Sequence, residues 1–183
     1  MNAGDLTKLD DHLMWIKFSG MSWYGDGFFY SRYPEPAKGD ELSGMNENSK
    51  VYYHKIGDKQ ENDRLVYEDL AHPNWGFGVW VTEDKEMLLL STSESTNGNR
   101  LAYRKAADSG KDFIQLVDNF DYNFMPVQHI NGTLYVMTDS GAPKYQLIAI
   151  DLENPAKENW KVIIPEKAEV LDAMTIWMDA RLA

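Results

Sequence analysis

The 183-residue sequence has no cysteine at all. Disulfides, thiolate metal centres and cysteine nucleophiles are therefore excluded, and both cytoplasm and periplasm stay open as compartments. Positive charge is scarce: 18 Lys and Arg stand against 29 Asp and Glu, a formal net charge of −11. Binding to nucleic acid irrespective of sequence, or to an anionic membrane, needs a basic surface, so neither partner is expected. No apolar run reaches the roughly 18 residues of a membrane-spanning helix. The N-terminal MNAGDLTKLDDHLMW lacks a basic start followed by an apolar core, so no signal peptide is expected. A nucleophile elbow, G-x-S-x-G, is also missing. None of Ser19, Ser22 and Ser91 has glycines on both sides at that spacing, and none of His12, His54, His72 and His129 has a serine and an acid in a triad order.

What is present is β-forming sequence, 43% hydrophobic and 13% aromatic, in the range of a globular domain. The stretch 128-QHINGTLYVM-137 reads as strand, tight turn, strand. Asn131-Gly132 suits a type I′ turn, in which both central residues need φ > 0. The pattern recurs in 22-SWYGDGFFYSRY-33 with a turn expected at Asp26-Gly27, and in 79-VWVTEDKEMLLLST-92 with a turn at Asp84-Lys85. A weaker copy is 175-TIWMDARLA-183, with Asp179-Ala180 at its turn. A repeat of roughly 40–50 residues in which every unit is β is a propeller signature.

Two further strands complete each unit: 50-KVYYHKI-56 and 64-RLVYEDL-70, then 99-NRLAYRKA-106 and 112-DFIQLVDN-119, then 144-KYQLIAIDL-152 and 160-WKVIIPE-166. Alternation in the third strand of each unit (Val51-Tyr53, Leu101-Tyr103, Leu147-Ala149) predicts one buried face. The expected fold is all-β: an incomplete β-propeller in one domain, with four-stranded antiparallel blades at about 18–70, 75–119 and 124–166. A partial fourth blade is expected at 170–183, with residues 1–17 as an outer strand or lead-in. Leu171, Met174, Met178 and Leu182 also fit helical spacing, so strand and helix both remain open for the tail. An irregular β-sandwich is the competing architecture.

The runs 16-IKFSGMSWYGDGFFYSRYP-34, 51-VYYHKIG-57, 75-WGFGVWVTEDKEMLLLSTSE-94, 118-DNFDYNF-124 and 154-NPAKENWKVIIPE-166 together resemble the propeller domain of prolyl oligopeptidase, in its bacterial form. The resemblance implies a parent with two domains: an α/β-hydrolase domain carrying a Ser-Asp-His triad, and a seven-bladed propeller that restricts entry to short peptides cut after proline. This sequence matches about half of such a propeller. The implied partners are the parent's hydrolase domain and, in the parent, proline-containing oligopeptides. No cofactor is implied, and the chain alone is expected not to hydrolyse peptides. Open blade edges favour a homo-oligomer. A stand-alone half-propeller that binds or assembles, with no enzymatic role, is the alternative.

By the same resemblance, Phe18 matches a phenylalanine that lines the substrate pocket, although an inner-strand core role fits its pattern equally well. Gly76 stands where the family carries a pocket methionine. Thr96 replaces a small thiol residue, and Ser93 falls where an arginine can occur. The implied pocket is more open and more polar. Trp75 matches a neighbouring tryptophan and suits packing. Asp10-Asp11-His12 reads as solvated charge, because consecutive residues of an extended segment point to opposite faces. Asp118, Asp121 and Asn123 lack the glycine and terminal glutamate of a calcium loop and suit a link between blades. Asn131-Gly132-Thr133 fits turn chemistry better than glycosylation. Trp15, Trp23, Trp80 and Trp160 suit packing between blades.

Overall fold

A computed structural model describes residues 8–39 and 46–172. The strands form three antiparallel meanders, each a four-stranded sheet in simple sequence order. The first holds β1 (Ser22–Tyr24), β2 (Gly27–Arg32), β3 (Lys50–Lys55) and β4 (Arg64–Glu68). The second holds β5 (Gly76–Val81), β6 (Met87–Ser93), β7 (Arg100–Lys105) and β8 (Ile114–Val117). The third holds β9 (Phe124–Ile130), β10 (Thr133–Thr138), β11 (Gln146–Asp151) and β12 (Lys161–Ile164). This is the incomplete propeller expected from the sequence. The hairpin over 175–183, with its turn at Asp179-Ala180, lies outside the described residues.

The repeat extends to individual backbone bonds. The residue after each third strand donates its N–H to the hairpin turn: Ile56 to Asp26 O, Ala106 to Glu86 O, Leu152 to Gly132 O. Two residues later, Asp58, Asp108 and Asn154 close matching turns on Lys55, Lys105 and Asp151. A break in register between third and fourth strands also recurs, at Val51/Tyr52, Leu101/Ala102 and Leu147/Ile148. Extra residues of this kind increase local twist.

Side-chain alternation places the cores. Phe77, Val79, Val81, Leu88, Leu90 and Ala102 of the second sheet meet Phe29 and Val51 of the first. Their neighbours Met87, Leu89, Leu101, Tyr103 and Val117 point the other way, to Leu134, Val136, Ile148 and Ile150 of the third. The expectation of one buried face per third strand therefore fails for β7 and β11, where Leu101 through Arg104 and Leu147 through Ile150 are all buried. For β7 the physical reason is stacking: the middle sheet has a neighbour on each side, so both its faces are covered.

Turn chemistry is right for the third hairpin and shifted by one residue in the first. Asn131 and Gly132 have φ of 47° and 80°, between the paired residues Ile130 and Thr133. In the first hairpin Tyr24 pairs with Gly27, so the turn is Gly25-Asp26, with Gly25 at φ 59°. Gly27 belongs to β2, because a Cβ there would lie 2.0 Å from His54 O. In the second, Lys85 N–H closes on Thr82 O and Lys85 takes φ 65°.

Residues 8–17 form no strand. They run as an extended segment over the face of the first sheet that points away from the second. Tyr33 N–H donates to Trp15 O, and Gln60 accepts from Met14 N–H while donating to Met14 O. Asp11 is correspondingly not simple solvated charge. Its Oδ1 accepts from Gly57 N–H at 2.6 Å and lies 3.0 Å from His54 Nε2. Asp10 and His12, pointing the other way, are exposed. Trp80 and Trp160 pack between sheets, whereas Trp23 is half exposed against Phe28.

Candidate functional site

The loop entering β1 is unusual in its backbone. Trp15 and Phe18 have φ of 59° and 56°, a region that bulky residues rarely occupy and that marks strain. Two bonds hold the loop in this state. Trp15 O accepts from Tyr33 N–H, and Ser19 Oγ accepts from Ser31 N–H at 2.8 Å while donating to Gly20 O. The outcome is that Phe18 is 89% exposed. The alternative of an inner-strand core residue is thereby overturned, because the loop turns this side chain outward before β1 begins.

Phe18 stands at the mouth of a cleft of about 470 Å³ between the first and second sheets. Gly76 and Ser93 line it as directly paired residues of β5 and β6. A Cβ at position 76 would lie 3.3 Å from Ser93 Oγ, so any side chain there reaches into the cleft. Ser31, Ser49 and Ser91 add hydroxyls, and Lys17 enters from the Phe18 loop, its ammonium donating to Asn46 Oδ1 at 2.7 Å. Thus Phe18, Gly76 and Ser93 share one cleft. Thr96 does not join them; it lies exposed in the turn beyond Ser95.

Trp75 borders the site as packing. It stacks on His72 at 3.7 Å, meets Phe120 edge-on and carries Arg100 over its ring at 4.9 Å. Its Nε1 donates to Glu94 Oε2. The link through 118–123 closes by amide bonds, with Asn123 N–H and Nδ2 donating to the two oxygens of Asp139.

Among the described residues no histidine lines the cleft beside its serines. Among the described residues the histidine rings bond carboxylates only: His54 to Asp63 and Asp11, His72 to Asp69, His129 to Asp84. Asp84, Glu86 and His129 place possible ligand atoms within 4.8 Å of one another. However, His129 Nδ1 is already 2.6 Å from Asp84 Oδ2, and its buried Nε2 has no partner. A metal-bound imidazole uses that second nitrogen on an outer acceptor, so these residues fit a clip between sheets better than a metal site. Burial works to raise the Asp84 carboxyl, but bonds from Thr82, Glu86 N–H and His129 hold it below 3.8.

Residues 1–179 match the family model described as "Prolyl oligopeptidase, N-terminal beta-propeller domain". The chain belongs to the prolyl oligopeptidase family. It is 41% identical over 176 residues to a prolyl endopeptidase of Elizabethkingia meningoseptica, covering 96% of this chain and 25% of the relative. It is 34% identical to prolyl oligopeptidase A of Amanita bisporigera, covering 98% of this chain and 25% of that protein. Among solved structures, prolyl oligopeptidase B of Galerina marginata bound to a 35mer hydrolysis and macrocyclization substrate superposes with TM-score 0.79 at 30% identity, over 87% of this chain and 22% of that one. The chain spans about a quarter of the length of these relatives. Within prolyl oligopeptidases it corresponds to N-terminal propeller sequence, and the relatives of highest identity here are bacterial.

Sequence reasoning missed the line Asp63–His54–Asp11 and the clip Asp84–His129. The available signal was a histidine inside an apolar strand pattern: His54 and His129 are almost fully buried, which calls for a partner.

Proposed function

We propose that this chain is the non-catalytic propeller portion of a serine peptidase that hydrolyses short proline-containing peptides, its blades restricting access to a nucleophile supplied by residues outside 1–183. The observation that carries this reading is the outward Phe18, held by a strained, doubly anchored loop at the mouth of a cleft. A solvent-exposed aromatic kept in a costly conformation is a contact for something that arrives. Phe18, Gly76 and Ser93 face the substrate side. Without a side chain at Gly76, and with serines around it, the cleft accepts a larger and more polar residue on the acyl side of proline. Thr96 acts, if at all, from the rim.

The test is turnover of a proline-linked chromogenic peptide. The chain alone gives none, and adding the hydrolase domain restores it; turnover by the chain alone overturns the reading. In the full-length protein, Phe18→Ala lowers kcat/KM by roughly tenfold, about 1.4 kcal/mol of transition-state binding.

A second reading, a stand-alone assembly module, draws on the exposed Phe18, Met21 and Trp23, close together in sequence at the first hairpin. Stable homo-oligomers that bind no hydrolase domain would favour it.

A further inference from the structure

One slot recurs in the three sheets: the last residue but one of the third strand, occupied by His54, Arg104 and Ile150. All three are buried. Ile150 packs in the core shared with the second sheet. His54 lies between two carboxylates, Asp63 Oδ1 at 2.7 Å and Asp11 Oδ1 at 3.0 Å. Arg104 is a permanent cation, 4% exposed, and among the described residues no carboxylate lies within ion-pair distance of it. Its Nη1 donates to Asp108 O and Lys111 O. Its Nε is buried with no partner, and the guanidinium lies 4.8 Å over the Phe113 ring.

The charge that faces Arg104 from the first sheet has the wrong sign. Arg104 pairs across its ladder with Leu88, and Arg64 of β4 pairs with Tyr53; both partners point into the space between the first and second sheets. The two arginines therefore face each other across it. Burial first, and then the Arg64 charge, hold the Arg104 pKa below its usual value, against a smaller opposite pull from the Asp108 carboxylate. Arg64 has no ion pair among the described residues either; it leans over the Tyr53 ring at 5.5 Å. Between the arginines opens a cleft of about 270 Å³, lined also by Ser109, Lys111 and Asp112. Nearby Asp108 is engaged with the Lys111 ammonium at 2.9 Å, and Asp112 is the one carboxylate among the described residues that line the cleft.

A buried cation beside a like charge is costly unless an anion compensates it. We propose that this cleft binds a small oxyanion, phosphate or carboxylate, held between the Arg64 and Arg104 guanidinium groups with the Ser109 hydroxyl at its rim. Planar guanidinium forks suit the paired oxygens of either group. The bound anion ties β4 of the first sheet to the loop after β7 of the second, so it stabilises the contact between them. The site stands apart from the Phe18 cleft and does not depend on the peptidase reading.

The test is thermal unfolding of the chain in a zwitterionic buffer, titrated with inorganic phosphate and, separately, with acetate, each at ionic strength held constant with sodium chloride. A saturable rise in Tm with phosphate or acetate is expected. Arg64 is exposed, so Arg64→Gln leaves the fold intact by circular dichroism while weakening the apparent affinity roughly tenfold or more. Whichever anion gives the R64Q-sensitive rise identifies the ligand class. No rise with either anion beyond the chloride control, or a rise that R64Q leaves unchanged, overturns the proposal.

Discussion

His54 is the residue on which the lead-in segment depends. Burial pulls its pKa down, but bonds to Asp11 and Asp63 outweigh burial and raise it above 6.5. Asp11 is lowered from 3.8, chiefly by the Gly57 N–H and then by His54. The stabilising effect of His54 is thus complete below pH 6.5 and is lost as pH rises through its raised folded value. That of Asp11 is present above 3.8 and is lost as pH falls through its lowered value. Docking of residues 8–17 is therefore tightest between those limits. Hydrogen-exchange protection of the Gly57 amide, corrected for intrinsic rate, should fall on either side of the window; a flat profile would refute the coupling. Asp11→Asn should cost about 1–3 kcal/mol in urea unfolding, since it leaves His54 one carboxylate. Gly98 is a second sensitive position. It has φ 73°, and a Cβ there would sit 1.8 Å from Phe120 O. Gly98→Ala should cost about 2 kcal/mol or more, read from the same denaturation curves.

Among the elements, one amide bonds across the joint between the second and third sheets, beside the Asp84–His129 clip and the shared apolar core. Asn99 Oδ1 accepts from Phe124 N–H, and Nδ2 donates to Phe124 O and Ser91 Oγ. The Asn99 backbone N–H also reaches Tyr122 O. The side chain thus pairs with β9 as a strand residue would. Asn99→Ala should destabilise by about 1–3 kcal/mol. Asn99→Asp keeps the acceptor but loses the donor, so it should recover only part of that loss; full recovery would contradict the donor role. The hairpins themselves were legible in the sequence, because Asn-Gly and alternating apolar residues are local signals. The first turn misled by one residue because Gly25 and Gly27 flank Asp26, and only the contact of Gly27 with His54 O decides which glycine turns the chain. Burial of β7 on both faces was not legible either, since it depends on which sheets are neighbours.

At the scale of the whole molecule, exposed apolar side chains occur on all three sheets among the described residues, and three of them stand close together in sequence at the first hairpin. Phe18, Met21 and Trp23 are 89%, 61% and 54% exposed. Apolar side chains that cluster on a surface favour association, so the isolated chain should self-associate at micromolar concentration in light scattering. Trp23→Ser should shift it toward monomer, and a monodisperse wild-type monomer would contradict this. Much of the candidate site came from family resemblance, which gave Phe18, Gly76 and Ser93. It gave no hint of the backbone strain that presents Phe18, which rests on the distant anchors Tyr33 and Ser31. Thr96 falls outside the cleft because the chain turns away just after Ser95, the last residue beyond β6 that lines it.

The recurring slot at His54, Arg104 and Ile150 separates frame from filling. The same register break, the same turn closure and the same reach to the hairpin surround an imidazole, a guanidinium and an aliphatic chain. The repeat is therefore written in the backbone, while each side chain in the slot brings its own counterpart: two carboxylates, two carbonyls, or a neighbouring core. Exchanging the occupants without those counterparts should leave the strand pattern readable and the fold weakened, so the units are alike in outline yet cannot stand in for one another.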